Sequence, residues 1–142
     1  MTDYEKSNKI VEVDFSRLSS KEYYNLINCT DNRKKFAQEL VNYLCDKYHI
    51  NRIPVIVTDK PRKCTKHCQI YGKYHFSGGY GIKITIYNFT AKTGKEVAIK
   101  SFTNTLLHEF IHHYDTEYLK IQSAHTAGFY KRINDLEKKL AR

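Results

Sequence analysis

The sequence predicts an α+β fold: a small, mainly antiparallel or mixed sheet of about three strands flanked by helices, with a long buried helix followed by a C-terminal helix. Three observations lead there. Apolar residues recur at helical spacing towards both ends of the chain. Short β-branched runs fall between them. Helices and strands are also segregated along the sequence instead of alternating, which separates α+β from α/β organisation.

Taken in order, the first helix begins near Ser19 or Ser20, where a serine before Lys-Glu resembles an N-cap, and ends about Asn28. A second starts after Asp31 and places Phe36, Leu40, Tyr43 and Leu44 on one face. Between Arg52 and Asp59 the run IPVIVTD is β-branched and bounded by turn residues, as a short buried strand is. The segment GGYGIKITIYNF alternates, with Ile82, Ile84 and Ile86 facing one way and Lys83, Thr85 and Tyr87 the other. A further strand over Gln69 to Phe76 can join it as a hairpin through Ser77, Gly78 and Gly79. After Thr93-Gly94-Lys95 the pattern is helical again: Val97, Ile99, Phe102, Leu106, Leu107, Phe110 and Ile111 form an apolar face too wide for a surface helix.

A chain of 142 residues fits one domain, 1–142, with residues 1–15 expected to form a flexible N-terminal segment. That length buries a core without help from a metal or disulfides, so a metal here points to catalysis more than to folding. The N-terminus MTDYEKSNKI lacks the apolar core of a signal peptide, and no apolar stretch approaches the roughly twenty residues that cross a bilayer. A cytoplasmic location is expected, with Cys29, Cys45, Cys64 and Cys68 as thiols. The formal charge of +9 favours anionic partners. Basic residues cluster at Arg33, Lys34 and Lys35, at Lys60, Arg62, Lys63 and Lys66, and at Lys131, Arg132, Lys138, Lys139 and Arg142, as a solvated surface or as a site of non-specific nucleic-acid attraction.

The chemistry concentrates in LLHEFIHHYD. His108 and His112, four apart on a helix, lie one turn above each other, so both imidazoles reach a single metal ion. Glu109, about 100° round from His108 and about 60° from His112, can face the attacking water as a general base without being forced to ligate. The pattern arises by chance in about one chain of this size in a few hundred; its place inside an apolar helical run strengthens it. A catalytic zinc site takes three protein ligands and leaves one position open. His125, thirteen residues after His112, is the candidate third ligand. Asp115 competes, seven residues after His108 on the same stripe, but nearly two turns away it reads better as a residue orienting an imidazole.

These residues, with SAHTAGFYKRI after them, resemble the SprT-like family of zincin metallopeptidases. The resemblance spans roughly residues 50 to 140 and rests on His108, Glu109 and His112, then His125 followed by Phe129, with Asn88 closing the alternating strand. It implies a zincin-like fold, Zn(2+) held by His108, His112 and His125, and Glu109 as base. The chain reads AHTAG where the family commonly has a glycine beside the histidine, and no paired cysteine motif follows, so an appended zinc ribbon for DNA targeting is not expected.

Weaker constellations complete the sequence. Cys64, His67 and Cys68 form a possible second zinc cluster whose ordinary alternative is a loop and strand start. His113 lies about 100° from His112 and reads as a supporting or surface residue. Tyr114, Tyr118 and Tyr130 are candidates to stabilise an oxyanion, with nothing in the sequence to choose among them. The expected activity is hydrolysis of protein or peptide substrates by zinc-activated water, with the strand ending at Asn88 as the cleft edge and proteins near nucleic acid among the substrates. Two alternatives stand beside it: a regulatory protease of the ImmA type that cleaves a repressor partner, and a non-catalytic nucleic-acid-binding module, which would have no use for Glu109.

Overall fold

The computed structural model describes residues 2–11, 13–28, 32–59, 72–75, 83–88, 96–121 and 123–141. They form five helices and three strands: α1 (Asp3–Lys9), α2 (Ser20–Asn28), α3 (Arg33–Lys47), β1 (Val55–Thr58), β2 (Gly72–His75), β3 (Lys83–Tyr87), α4 (Ile99–Glu117) and α5 (Ala127–Ala141). The α+β class is as expected. The sheet has the order β1-β3-β2, with β1 parallel and β2 antiparallel to β3. Its parallel pair rules out the mainly antiparallel arrangement.

That order corrects one expectation. β3 is the central strand, hydrogen-bonded on both sides, so the strand ending at Asn88 has no open edge to offer a substrate. The physical reason is the burial of both its isoleucines: Ile84 and Ile86 are fully enclosed, as a strand covered on its inner face requires. Val57 lies opposite Ile86, and Tyr74 opposite Ile84. α3 covers β1, while α4 covers β2 and β3. Leu40, Val41 and Leu44 of α3, Phe102, Leu106, Phe110 and Ile111 of α4, and Phe129, Leu136 and Leu140 of α5 close one continuous core around them.

Local chemistry sets the helix ends. Ser19 caps α2, its hydroxyl accepting from the Glu22 N–H at 3.3 Å, and its own N–H donates to the Tyr43 hydroxyl, tying α2 to α3. Asn32 caps α3 by accepting from the Lys34 and Lys35 N–H groups. α4 starts at Ala98 without a side-chain cap. Arg33 braces that start instead, donating to the Asn88 side chain at 2.8 Å and to the Val97 carbonyl at 2.6 Å.

The N-terminal segment, expected to be flexible, instead contributes a helix. Thr2 and Glu5 form a reciprocal capping box at the start of α1, and α1 packs on α5. At Gly128 the two backbones meet so closely that a Cβ would come within 2.5 Å of the Asn8 carbonyl oxygen, and closer to that of Ser7. Among the described residues no helix is long and apolar enough to cross a membrane.

Candidate metal centre

Three imidazoles converge between α4 and the segment leading into α5. His108 and His112 project from α4, and His125 comes from the stretch after Ile121 that returns the chain to the site. Their candidate ligand atoms all lie within 4.8 Å of one another, and the three ring centroids are 5.2, 5.1 and 5.0 Å apart, close to an equilateral triangle. The Nε2 atoms of His112 and His125 approach to 3.0 Å. Phe129 lies against all three rings, with centroids 4.6 Å from His112 and 5.1 Å from both His108 and His125, giving the cluster an apolar floor. His125 is exposed and the other two half-buried, so the cluster opens to solvent on the His125 side.

The donor set fits a divalent metal by its protonation and its shape. Burial, with help from His125, lowers His108 to about 4, and burial, followed by His108 and His125, lowers His112 to about 3, so both are neutral ligands at neutral pH. The hydrogen bonds of His112 fix which nitrogen is free. The Ser123 hydroxyl donates to Asp115 Oδ2 at 2.8 Å, which leaves its oxygen to accept from His112 Nδ1 at 2.8 Å. The lone pair of His112 is therefore on Nε2, the atom nearest His125. Tetrahedral zinc with nitrogen ligands separates them by about 3.3–3.4 Å, near the 3.0 Å between the Nε2 atoms of His112 and His125.

Asp115 is not in the triangle. Arg132 holds it through a buried fork, Nε to Oδ1 at 3.1 Å and Nη2 to Oδ2 at 2.8 Å, and both side chains are 0% exposed. Burial raises the Asp115 carboxyl above its ordinary range, against the pull of Arg132 and Ser123. Asp115 thus orients an imidazole, as expected, but through Ser123. Arg132 corrects the reading of the basic tail: it is internal, and Lys131 beside it pairs with Asp135. Lys34, Lys35, Lys131, Lys138 and Lys139 are the exposed members of the described clusters. Cys64, His67, Cys68, Lys60, Arg62, Lys63, Lys66 and Arg142 lie outside the described residues.

Glu109 is only 6% exposed, and burial pushes its carboxyl up to about 7. His113, four residues after Glu109, is enclosed and plays a structural part. Its Nε2–H donates to the Asn51 carbonyl at 2.8 Å, and its Nδ1 accepts from the Tyr74 hydroxyl at 3.1 Å, pinning α4 to β2 and to the entry of β1. Of the three tyrosine candidates, Tyr114 lies in the core against Phe15 and Tyr48, and Tyr118 stacks on Tyr114. Tyr130 alone of the three borders the imidazoles, 6.3 Å from His108 and 6.0 Å from His125, and is 47% exposed. Sequence reasoning missed Ser123, Tyr74 and Ser7. Arg132 left a signal: it shares the apolar stripe of α5 with Phe129 and Leu136, where a solvated arginine has no place. No family model, curated protein or solved structure matches the chain.

Proposed function

We propose that the chain is a zinc-dependent metalloendopeptidase of the SprT-like, zincin-like kind. The observation that carries the reading is the convergence of His108, His112 and His125 on one point, with the buried Glu109 next to His108 on the same helix. Three imidazole nitrogens suit zinc, and their number leaves a position open for catalysis.

A bound zinc ion supplies Lewis acidity towards the scissile carbonyl and brings the pKa of water down to about 7. The chain's own residues do the rest. Glu109, whose carboxyl burial raises to about 7 in the metal-free chain, is the group to accept the proton of the attacking water and return it to the departing amine. Asp115 and Ser123 keep His112 in the Nδ1–H tautomer. Tyr130, exposed and bordering His108 and His125, is the candidate to donate to a developing oxyanion. β2, terminal in the sheet among the described residues and covered by α4, offers its outer edge to an extended substrate backbone.

The test is hydrolysis of an unfolded protein such as reduced casein by the zinc-loaded chain, before and after chelation and with zinc restored. Cleavage lost on chelation and recovered with zinc supports the reading. Cleavage that survives complete metal removal, or its absence from a fully loaded and folded protein, sinks it.

A further inference from the structure

The segment that delivers His125 is held from the far end of the chain. Ser7, on α1, is fully buried, and its hydroxyl meets the residues on both sides of His125: it donates to the Ala124 carbonyl at 3.2 Å and lies 3.0 Å from the Thr126 hydroxyl. Because its one proton goes to Ala124, the Thr126 hydroxyl donates to it. Thr126 in turn accepts the Phe129 N–H at 3.1 Å, at the start of α5. The other acceptor site of the Ser7 oxygen takes Arg132 Nη2 at 3.2 Å. Arg132 also donates through Nη1 to the Ser7 and Ile10 carbonyls, at the C-terminal end of α1 where a cation is favoured.

One guanidinium therefore grips α1 with three of its N–H groups and Asp115 with two, and Asp115 reaches His112 through Ser123. Two of the three imidazoles are connected to α1, His112 by this relay and His125 by its flanking residues. Among the described residues the His125 side chain hydrogen-bonds only to His112, and it is exposed, so its backbone and the Phe129 ring beneath it are what place it. The close approach of Gly128 to Ser7 and Asn8 shows that α1 is seated without slack.

We propose that Ser7 is a positioning residue for the metal centre: α1 clamps residues 124–126 through its hydroxyl and so sets the place of His125. The inference rests on the three-histidine reading of the site. It makes the N-terminal helix part of the site's supporting shell, which explains why a serine sits fully buried in a seven-residue helix whose neighbours are exposed. A loosened clamp lets His125 drift while α4 keeps His108 and His112 in register, so the metal loses one ligand's geometry without loss of the fold.

The experiment is a chelator-competition titration with zinc, and the visible spectrum with cobalt(II), on full-length wild type, Ser7→Ala, Asn8→Ala, His125→Ala and Val41→Ala. Val41 is buried on α3, which carries no residue of the site, and its variant controls for lost stability. Asn8, exposed and donated to by the Gly128 N–H at 3.3 Å, perturbs the α1 seat with little risk to folding. Ser7→Ala should weaken zinc binding about tenfold, the lower end of the range for a supporting residue, and alter the cobalt absorption bands. Asn8→Ala should do the same more weakly, while Val41→Ala leaves both readouts at wild-type values. Wild-type affinity and spectrum in both Ser7→Ala and Asn8→Ala, with His125→Ala still losing metal, overturns the clamp and leaves the site standing; so does an equal loss in Val41→Ala. Undiminished metal binding in His125→Ala overturns the site and the clamp with it.

Discussion

Glu109 and Asp115 are carboxylates six residues apart on one helix, both buried, and the protein treats them in opposite ways. Asp115 is matched at every oxygen: a guanidinium fork, a serine hydroxyl, and through them a second helix and the N-terminus of the chain. Glu109 has no ion-pair partner among the described residues, and burial raises its proton affinity to about 7. A compensated carboxylate holds shape, because separating it from its partner is costly. An uncompensated one exchanges a proton near neutral pH, because neither of its states is strongly preferred. One arginine thus separates the two carboxylates: Asp115 is held in a buried ion pair, and Glu109 is the one proposed as the reagent.

The comparison predicts contrasting mutants. Glu109→Gln should fold, keep its metal and lose hydrolysis by about 10²–10⁴-fold, the contribution expected of a positioned base; steady-state cleavage rates at equal zinc occupancy read this directly. Arg132→Met should do the reverse of sparing the fold. It leaves Asp115 buried without its counter-charge and should cost about 3–5 kcal/mol in urea-denaturation stability, and Arg132→Lys should not rescue it, because one ammonium cannot make the fork's separate contacts to Asp115 and α1.

A third effect belongs to pH. With its folded value near 7 above an ordinary 4.5, Glu109 favours the fold when protonated, so its contribution is complete below 4.5 and is lost as pH rises through about 7. Metal-free wild type should therefore lose stability relative to metal-free Glu109→Gln across that window, by on the order of 3 kcal/mol at most. His108 and His112, lowered in the fold, act oppositely and destabilise as pH falls, but they are common to both proteins and cancel. A pH-independent gap between the two denaturation curves would show that Glu109 is not the uncompensated group described. The smallest effect is expected at the link between the two kinds of region: Ser123→Ala removes the acceptor of His112 Nδ1 and should weaken zinc binding by about 10- to 100-fold with little change in folding stability, measured by competition titration.

Much of the metal side was legible because it is local. Two histidines and a glutamate at helical spacing, inside an apolar run, specify one face of one element, and His125 required only that the chain turn back. The isoleucine alternation of β3 was legible for the same reason, although its central place was not: strand order depends on where β2 and β1 dock, which no periodicity records. The supporting shell was illegible. Ser7 meets Ala124 and Thr126 across 117 and 119 residues, and its partners are generic polar groups until the fold brings them together. The short, polar α1 gives no apolar stripe to read, since its only buried side chain is a serine among the residues whose side chains are described.

The most direct measurement is the metal content of the purified chain, wild type beside His125→Ala and Asp115→Asn, at equal folded concentration. One zinc ion per chain in the wild type, lost in His125→Ala and retained more weakly in Asp115→Asn, is the result predicted by the triangle of imidazoles. No bound ion in the wild type after exposure to zinc, or one ion per chain held as tightly by His125→Ala, would contradict it.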